Sequence, residues 1–139
     1  MRFPAGPGVV VSVLATALLS GCQHGKNLTA AGEVTVQPVS TKTVRVVWAE
    51  AWQDGEYTVV RGGLMRRGIS AYPLTGHVDV RFVDADGHVV RHASSREVGI
   101  RRSTPGKGPR LSPFELRLKF RPAAGSTAVV AYHAGAHER

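Results

Sequence analysis

Hydrophobic and polar residues alternate along much of the chain with the period of a β-strand. The clearest case is Phe114-Glu115-Leu116-Arg117-Leu118-Lys119-Phe120-Arg121, whose apolar and charged residues fall on opposite faces at period two. Val78-Asp79-Val80-Arg81-Phe82 shows the same alternation. A helix would scatter both sets around its axis. The pattern therefore predicts strands that bury one face.

Further strands are predicted where valine-rich segments lie between turn residues. After residue 21 the chain has sixteen valines and six leucines, which favours strands because β-branched residues fit a pleated surface. Residues 84–87 and 53–56 predict hairpin turns that use Gly87 and Gly55. Glycines in the segment 62–68 predict a bend or bulge with its arginines in or near a loop. The other predicted strands are 34–36, 44–52, 57–64, 88–92 and 127–133.

This layout predicts an all-β fold, with one antiparallel β-sandwich over residues 33–134 and a short tail over 135–139. Short strands at this spacing, with turn signals between them, are typical of a sandwich, and the length of 139 residues suits one domain. The order of strands and turns resembles the immunoglobulin-like domains of bacterial envelope lipoproteins, and the sandwich is expected to be immunoglobulin- or fibronectin-III-like. The resemblance implies extracytoplasmic binding or scaffolding and assigns no reaction.

The N-terminus has the pattern of an export signal. Arg2 is followed by an uncharged, mainly apolar run of twelve residues, 8–19, whereas a membrane span needs about 20. We therefore expect a signal-peptide helix within residues 1–21. The four residues Leu19-Ser20-Gly21-Cys22 resemble the lipobox of bacterial lipoproteins. That resemblance implies that Cys22 is acylated and begins the mature chain, with residues 22–32 as a flexible tether. The alternative is that Cys22 is a small hydrophobic residue at the end of a transmembrane helix.

The lipobox resemblance also implies a location. Gln23 follows Cys22, in place of the aspartate that resembles an inner-membrane retention signal. In a Gram-negative host we therefore expect the outer membrane, with the domain facing the periplasm. Because Cys22 is the only cysteine, a disulfide framework and every multi-cysteine metal site are excluded.

Positive charge is concentrated in the middle of the chain. The formal net charge is +8, and residues 61–121 hold thirteen lysines and arginines against five aspartates and glutamates. Outside the cytoplasm this charge does not indicate a nucleic-acid partner, but an anionic envelope component or another envelope protein. Residues 101–113, rich in proline and glycine, predict an exposed loop. We name its four cations the basic loop and expect them to bind that partner: Arg101, Arg102, Lys107 and Arg110.

Histidines supply the alternative chemistry, a transition-metal site for copper, nickel or zinc. His133 and His137 can approach one another because the residues between them permit a turn, and His77 can meet His133 across a sheet. His88 and His92 lie about 13 Å apart if extended and cannot share one ion. The competing interpretation is that these histidines are half-exposed residues at strand ends. No other cofactor is expected.

The sequence contains no recognisable catalytic motif. There is no Gly-x-Ser-x-Gly elbow and no phosphate-binding loop. Asp84 and Asp86 are expected to stabilise their hairpin turn. We therefore expect a non-enzymatic, membrane-anchored binding or scaffolding module. Metal binding is the alternative function, and a hydrolase is a distant third.

Two tryptophans and a tyrosine flank the first hairpin. Trp48 and Trp52 are four residues apart, so an uninterrupted strand would place both on one face. Packing in the core is the favoured interpretation. The alternative is an exposed platform, formed together with Tyr57, for a sugar or a peptide.

Overall fold

A computed structural model describes residues 25–68, 73–104 and 106–135. These residues form strands and connecting turns and contain no helix, so none of their elements is a helix long and apolar enough to span a bilayer. The predicted signal-peptide helix and Cys22 lie outside the described residues. The strands are β1 Lys26–Asn27, β2 Val34–Val39, β3 Val44–Asp54, β4 Tyr57–Arg66, β5 Leu74–Val83, β6 Val89–Ser94, β7 Val98–Ile100, β8 Leu111–Lys119 and β9 Ser126–Ala134.

The strands form two sheets, so the predicted all-β class is confirmed. Sheet A has the order β1-β3-β4-β8, and sheet B has the order β2-β9-β5-β6 with β7 also paired to β5. The β2–β9 pair is parallel, and the other strand pairs between named elements are antiparallel. The expectation of a purely antiparallel fold is therefore wrong for this pair. After β2 the chain leaves sheet B for β3 in sheet A, so β2 has no hairpin partner and lies beside β9.

The predicted alternation determines which side chains are buried. Along β8, Phe114, Leu116 and Leu118 are buried while the residues between them are exposed. Phe82 on β5 is fully buried, and its ring lies 5.1 Å from the ring of Phe120. Buried side chains from both sheets form one hydrophobic cluster, so the two sheets share a core.

The N-terminal part of the domain differs from the predicted tether. Lys26–Asn27 pairs with β3, and Leu28 is buried in the core with 5% exposure. The backbone nitrogen of Leu28 donates to the carbonyl oxygen of Ala51 at 2.9 Å. Residues 26–32 therefore belong to the folded domain because Leu28 anchors them against β3.

The glycine-rich segment 62–68 does not bend as expected, because β4 continues through Gly62 and Gly63 without a register shift against β8. Close approach explains these glycines: a Cβ at Gly62 would overlap the Trp48 carbonyl oxygen, and one at Gly63 would lie 2.6 Å from Trp48 Nε1. The irregularity lies in the partner strand, between Val46 and Trp48.

Candidate functional site

Three imidazoles converge on one carboxylate on the outer face of sheet B. Asp79 lies on β5 between the buried residues Val78 and Val80, so its side chain points away from the core. His133 Nε2 lies 3.1 Å from Asp79 Oδ2, and the Nε2 atoms of His77 and His92 lie 3.6 Å and 3.8 Å from Asp79 Oδ1. We call these four residues the His–Asp cluster.

Strand register creates this cluster. His77 precedes Asp79 by two positions on β5 and so shares its face, and His133 is paired directly with His77 across β5 and β9. Their rings lie 5.5 Å apart between centroids, with an interplanar angle of 26°. His92 reaches Asp79 from β6, where it is paired with Arg81. Three strands therefore contribute to one site.

Two side chains of the His–Asp cluster are largely buried, and the other two are half-exposed. The side chains of His77 and Asp79 are 12% and 17% exposed, whereas those of His92 and His133 are 51% and 55% exposed. Ser94, which is paired with Asp79 across β5 and β6, donates a hydrogen bond from its hydroxyl to Asp79 Oδ1. The carboxylate is therefore fixed, while two of its imidazole neighbours can rotate.

The structure brings together part of the predicted metal site. His77 and His133 meet across the sheet as expected, and His137 lies outside the described residues. Sequence reasoning missed Asp79 and His92, because the spacing of His92 from His88 describes one strand and says nothing about neighbouring strands. The alternation of Val78-Asp79-Val80 already placed Asp79 on the face of His77, but the pairing of β6 with β5 is a long-range contact that spacing does not reveal.

The aromatic residues form a second surface, on the outer face of sheet A. Trp48 is 43% exposed, Tyr57 is 37% exposed and Trp52 is half-buried. Neither tryptophan belongs to the hydrophobic cluster, so the favoured prediction that the tryptophans pack in the core is wrong. The register shift between Val46 and Trp48 is the cause: Val44 and Val46 point inward, and the bulge turns Trp48 and the following even-numbered residues outward.

Arginines stack on these rings and are themselves paired with acids. The guanidinium carbon of Arg61 lies 4.7 Å from the ring centroid of Trp52, and that of Arg117 lies 4.6 Å from the ring centroid of Tyr57. Arg61 Nε lies 2.8 Å from Glu50 Oε1, and Arg117 Nη2 lies 2.8 Å from Asp54 Oδ2. We call this surface the aromatic–arginine face, defined by Trp48, Trp52, Tyr57, Arg61 and Arg117.

A recess of about 480 Å³ opens on the aromatic–arginine face. It is lined by Gly25, Trp52, Asp54, Val59, Arg61, Glu115 and Arg117. Glu50 lies beside it. Burial favours a raised pKa for Glu50, but the nearby indole of Trp52, the hydrogen bonds from Arg61 and Asn27, and the charge of Arg61 lower its pKa below the ordinary value. The face therefore combines apolar rings with fixed charges of both signs.

The basic loop lies between β7 and β8, and its four cations are exposed. None of them forms an ion pair within residues 25–68, 73–104 and 106–135. Within the loop, Thr104 and Gly108 form an isolated bridge. The loop ends earlier than the predicted residue 113, because β8 begins at Leu111 and includes Pro113. Proline has no backbone N–H to donate, and it is tolerated here because β8 is an edge strand.

Asp84 stabilises its hairpin turn, as predicted. Its Oδ1 accepts hydrogen bonds from the backbone nitrogens of His88 at 2.9 Å and Asp86 at 3.0 Å. The His88 bond is the main cause of the lowered pKa of Asp84. Among the described residues, one group has potential metal-ligand atoms that all lie within 4.8 Å of one another: Asp84, Asp86 and His88. The hydrogen bonds of the turn account for this proximity.

Comparison with known proteins gives no match: the chain fits no protein-family model, and neither a curated protein nor a solved structure is detectably similar to it.

Proposed function

We propose that the protein is a non-enzymatic binding module of the bacterial cell envelope, held at the membrane by acyl chains on Cys22. The resemblance of Leu19-Ser20-Gly21-Cys22 to a lipobox supports the anchor. Each buried methylene contributes about 0.8 kcal/mol, so two or three acyl chains give stable attachment where a single chain does not. In a Gram-negative host the module belongs at the outer membrane, facing the periplasm.

For the module itself we propose an immunoglobulin- or fibronectin-III-like sandwich. Two observations support this architecture: sheets A and B contribute to one hydrophobic cluster, and the chain changes sheet between β4 and β5 and again between β7 and β8. A rigid core of this kind leaves the outer faces of both sheets available to ligands.

The aromatic–arginine face is the proposed ligand surface, and the exposure of Trp48 on the face that also holds the Trp52 recess is the observation that carries the proposal. Tryptophan and tyrosine combine an apolar ring with a polar atom, which suits ligands that are partly apolar and partly polar. We propose a cell-wall glycan that carries carboxylates, with its sugar rings on this face. The basic loop supplies a second, electrostatic contact with the same polymer.

The anchor is tested by metabolic labelling with palmitate. The wild-type chain should incorporate label, and the Cys22→Ser chain should not. Equal labelling of the two chains, or no labelling of either, contradicts the anchor.

The ligand surface is tested by co-sedimentation of the full-length protein with purified peptidoglycan sacculi. Trp48→Ala should weaken binding about ten-fold or more, because tryptophans at the centre of interfaces typically contribute about 2 kcal/mol. Val89→Ala is the matched control, since Val89 is 55% exposed on β6 of the other sheet.

Neutralising the basic loop provides the second arm of this experiment. Replacing its four cations by glutamine should weaken binding and reduce its salt dependence. A control with the same charge change replaces four exposed cations elsewhere: Lys42, Arg67, Arg91 and Arg96. If Trp48→Ala and the loop variant sediment like the wild type, or if the control variant loses as much binding, the proposed ligand surface is wrong.

A further inference from the structure

Each of the three imidazoles in the His–Asp cluster has a nitrogen 3.1–3.8 Å from an Asp79 oxygen. Distances of 3.6 Å and 3.8 Å from His77 and His92 to Asp79 are too long for good hydrogen bonds. Two ligand atoms bound to one tetrahedral zinc ion, each about 2.0–2.1 Å from it, lie roughly 3.3 Å apart. The observed separations of 3.1–3.8 Å between imidazole nitrogens and carboxylate oxygens are close to this value.

The chemistry of the cluster agrees with this geometry. Imidazole nitrogen together with carboxylate oxygen suits zinc, copper and nickel. The hydroxyl of Ser94 donates to the Asp79 carboxylate, which is the kind of outer contact that orients a metal ligand. On the unfavourable side, the exposed cation Arg81 lies next to His92 on the same face. Its side chain is long and solvated, so its charge is screened.

We propose that the protein binds one divalent transition-metal ion, zinc, copper or nickel, through Asp79, His133, His92 and His77. No three of these four residues have ligand atoms that all lie within 4.8 Å of one another, whereas those of Asp84, Asp86 and His88 do. Binding therefore requires the half-exposed rings of His92 and His133 to rotate toward Asp79. The backbone positions of these residues are set by the pairing of β5, β6 and β9.

Bound metal links three strands of sheet B. An ion that binds the folded state but not the unfolded state raises the melting temperature as its concentration rises. The site therefore gives two readouts, affinity and stability. This inference is independent of the glycan ligand and of the anchor.

The test is calorimetric titration of the metal-free, full-length Cys22→Ser protein with copper, nickel and zinc salts. The Cys22→Ser substitution removes a thiol that would compete for the metal. We expect saturable binding of one ion per chain and a higher melting temperature with metal. Asp79→Asn and His92→Ala should each weaken binding at least ten-fold, as losses around metal sites generally do. Copper should bind most tightly of the three ions.

Two control variants locate the site. His88→Ala removes the ligand of the hairpin group, and His137→Ala removes the residue that the sequence placed beside His133; both should bind metal like the parent protein. Loss of binding in either control with retention in His92→Ala overturns the proposal, as does the absence of saturable binding. Electron paramagnetic resonance of the copper complex should show imidazole nitrogens whose coupling changes in His92→Gln, a variant that keeps a polar, half-exposed side chain.

Discussion

Replacing Gly62 by alanine should destabilise the domain, whereas the same replacement at Gly99 should not. Both glycines lie in strands, Gly62 in β4 and Gly99 in β7. A Cβ at Gly62 would overlap the carbonyl oxygen of Trp48 and lie 2.6 Å from the ring of Phe114. A Cβ at Gly99 would meet no atom within 4 Å. The pair therefore isolates the effect of crowding from the change in chain entropy.

The magnitude follows from which atoms must move. The Trp48 carbonyl belongs to the backbone of β3, which is paired with β4 at this point, so relief of the overlap displaces one strand from the other. Forcing one extra carbon into such packing costs about 1–3 kcal/mol. Gly99→Ala should instead stabilise the protein by about 0.4–1 kcal/mol, because alanine has fewer unfolded conformations.

The assay is thermal and urea denaturation of the full-length protein, followed by circular dichroism. For a domain of this size 1 kcal/mol corresponds to about 4 °C, so Gly62→Ala should lower the melting temperature by about 4–12 °C. Gly63→Ala should cost less, because the atom in its way is Nε1 of the exposed Trp48 indole, which can swing outward. If Gly62→Ala is as stable as Gly99→Ala, the close approach of β3 and β4 is not what selects glycine there.

Three further predictions concern buried and charged side chains. Phe82→Ala should lower the free energy of unfolding by about 3–5 kcal/mol in urea titration, because the ring is fully buried; a loss below 1 kcal/mol would contradict its place in the core. Tyr132→Phe should raise stability by about 1 kcal/mol, because the buried hydroxyl has no hydrogen-bond partner among the described residues. Burial raises the pKa of Tyr132 above 10, so the wild type should lose stability as pH rises from 10 through that raised pKa, and Tyr132→Phe should not show this component. The pKa of Glu50 is lowered below 4.5, so its contribution is present above pH 4.5 and is lost as pH falls through the lowered pKa; Glu50→Gln should flatten acid denaturation curves in that range, and unchanged curves would refute this role.

Local alternation was sufficient to predict most of the strands. β8 and β5 have uninterrupted alternation, and their buried residues are those that the pattern indicates. Alternation failed on β3, because one bulge after Val46 reverses the faces of every later residue, including Trp48. A bulge of this kind leaves little trace in a single sequence.

Strand pairing is the other property that sequence reasoning could not supply. His77 and His133 are more than fifty positions apart in the chain, and their contact depends on β9 lying beside β5. The approach of His92 to Asp79 depends in the same way on the β5–β6 register, and Leu28 reaches the core because Lys26–Asn27 pairs with β3. The residue types pointed to a candidate metal site, but which of these residues meet depends on the topology.

The parallel pairing of β2 with β9 affects how the chain reaches its folded state. β9 lies between β2 and β5, so sheet B cannot close until residues 126–134 have arrived. Early and late parts of the chain must find each other across most of its length, and such non-local topologies fold slowly. A chain that ends before β9 lacks the strand that joins β2 to β5. Residues 126–134 are therefore the last piece that sheet B needs, although they separate two strands formed much earlier in the chain.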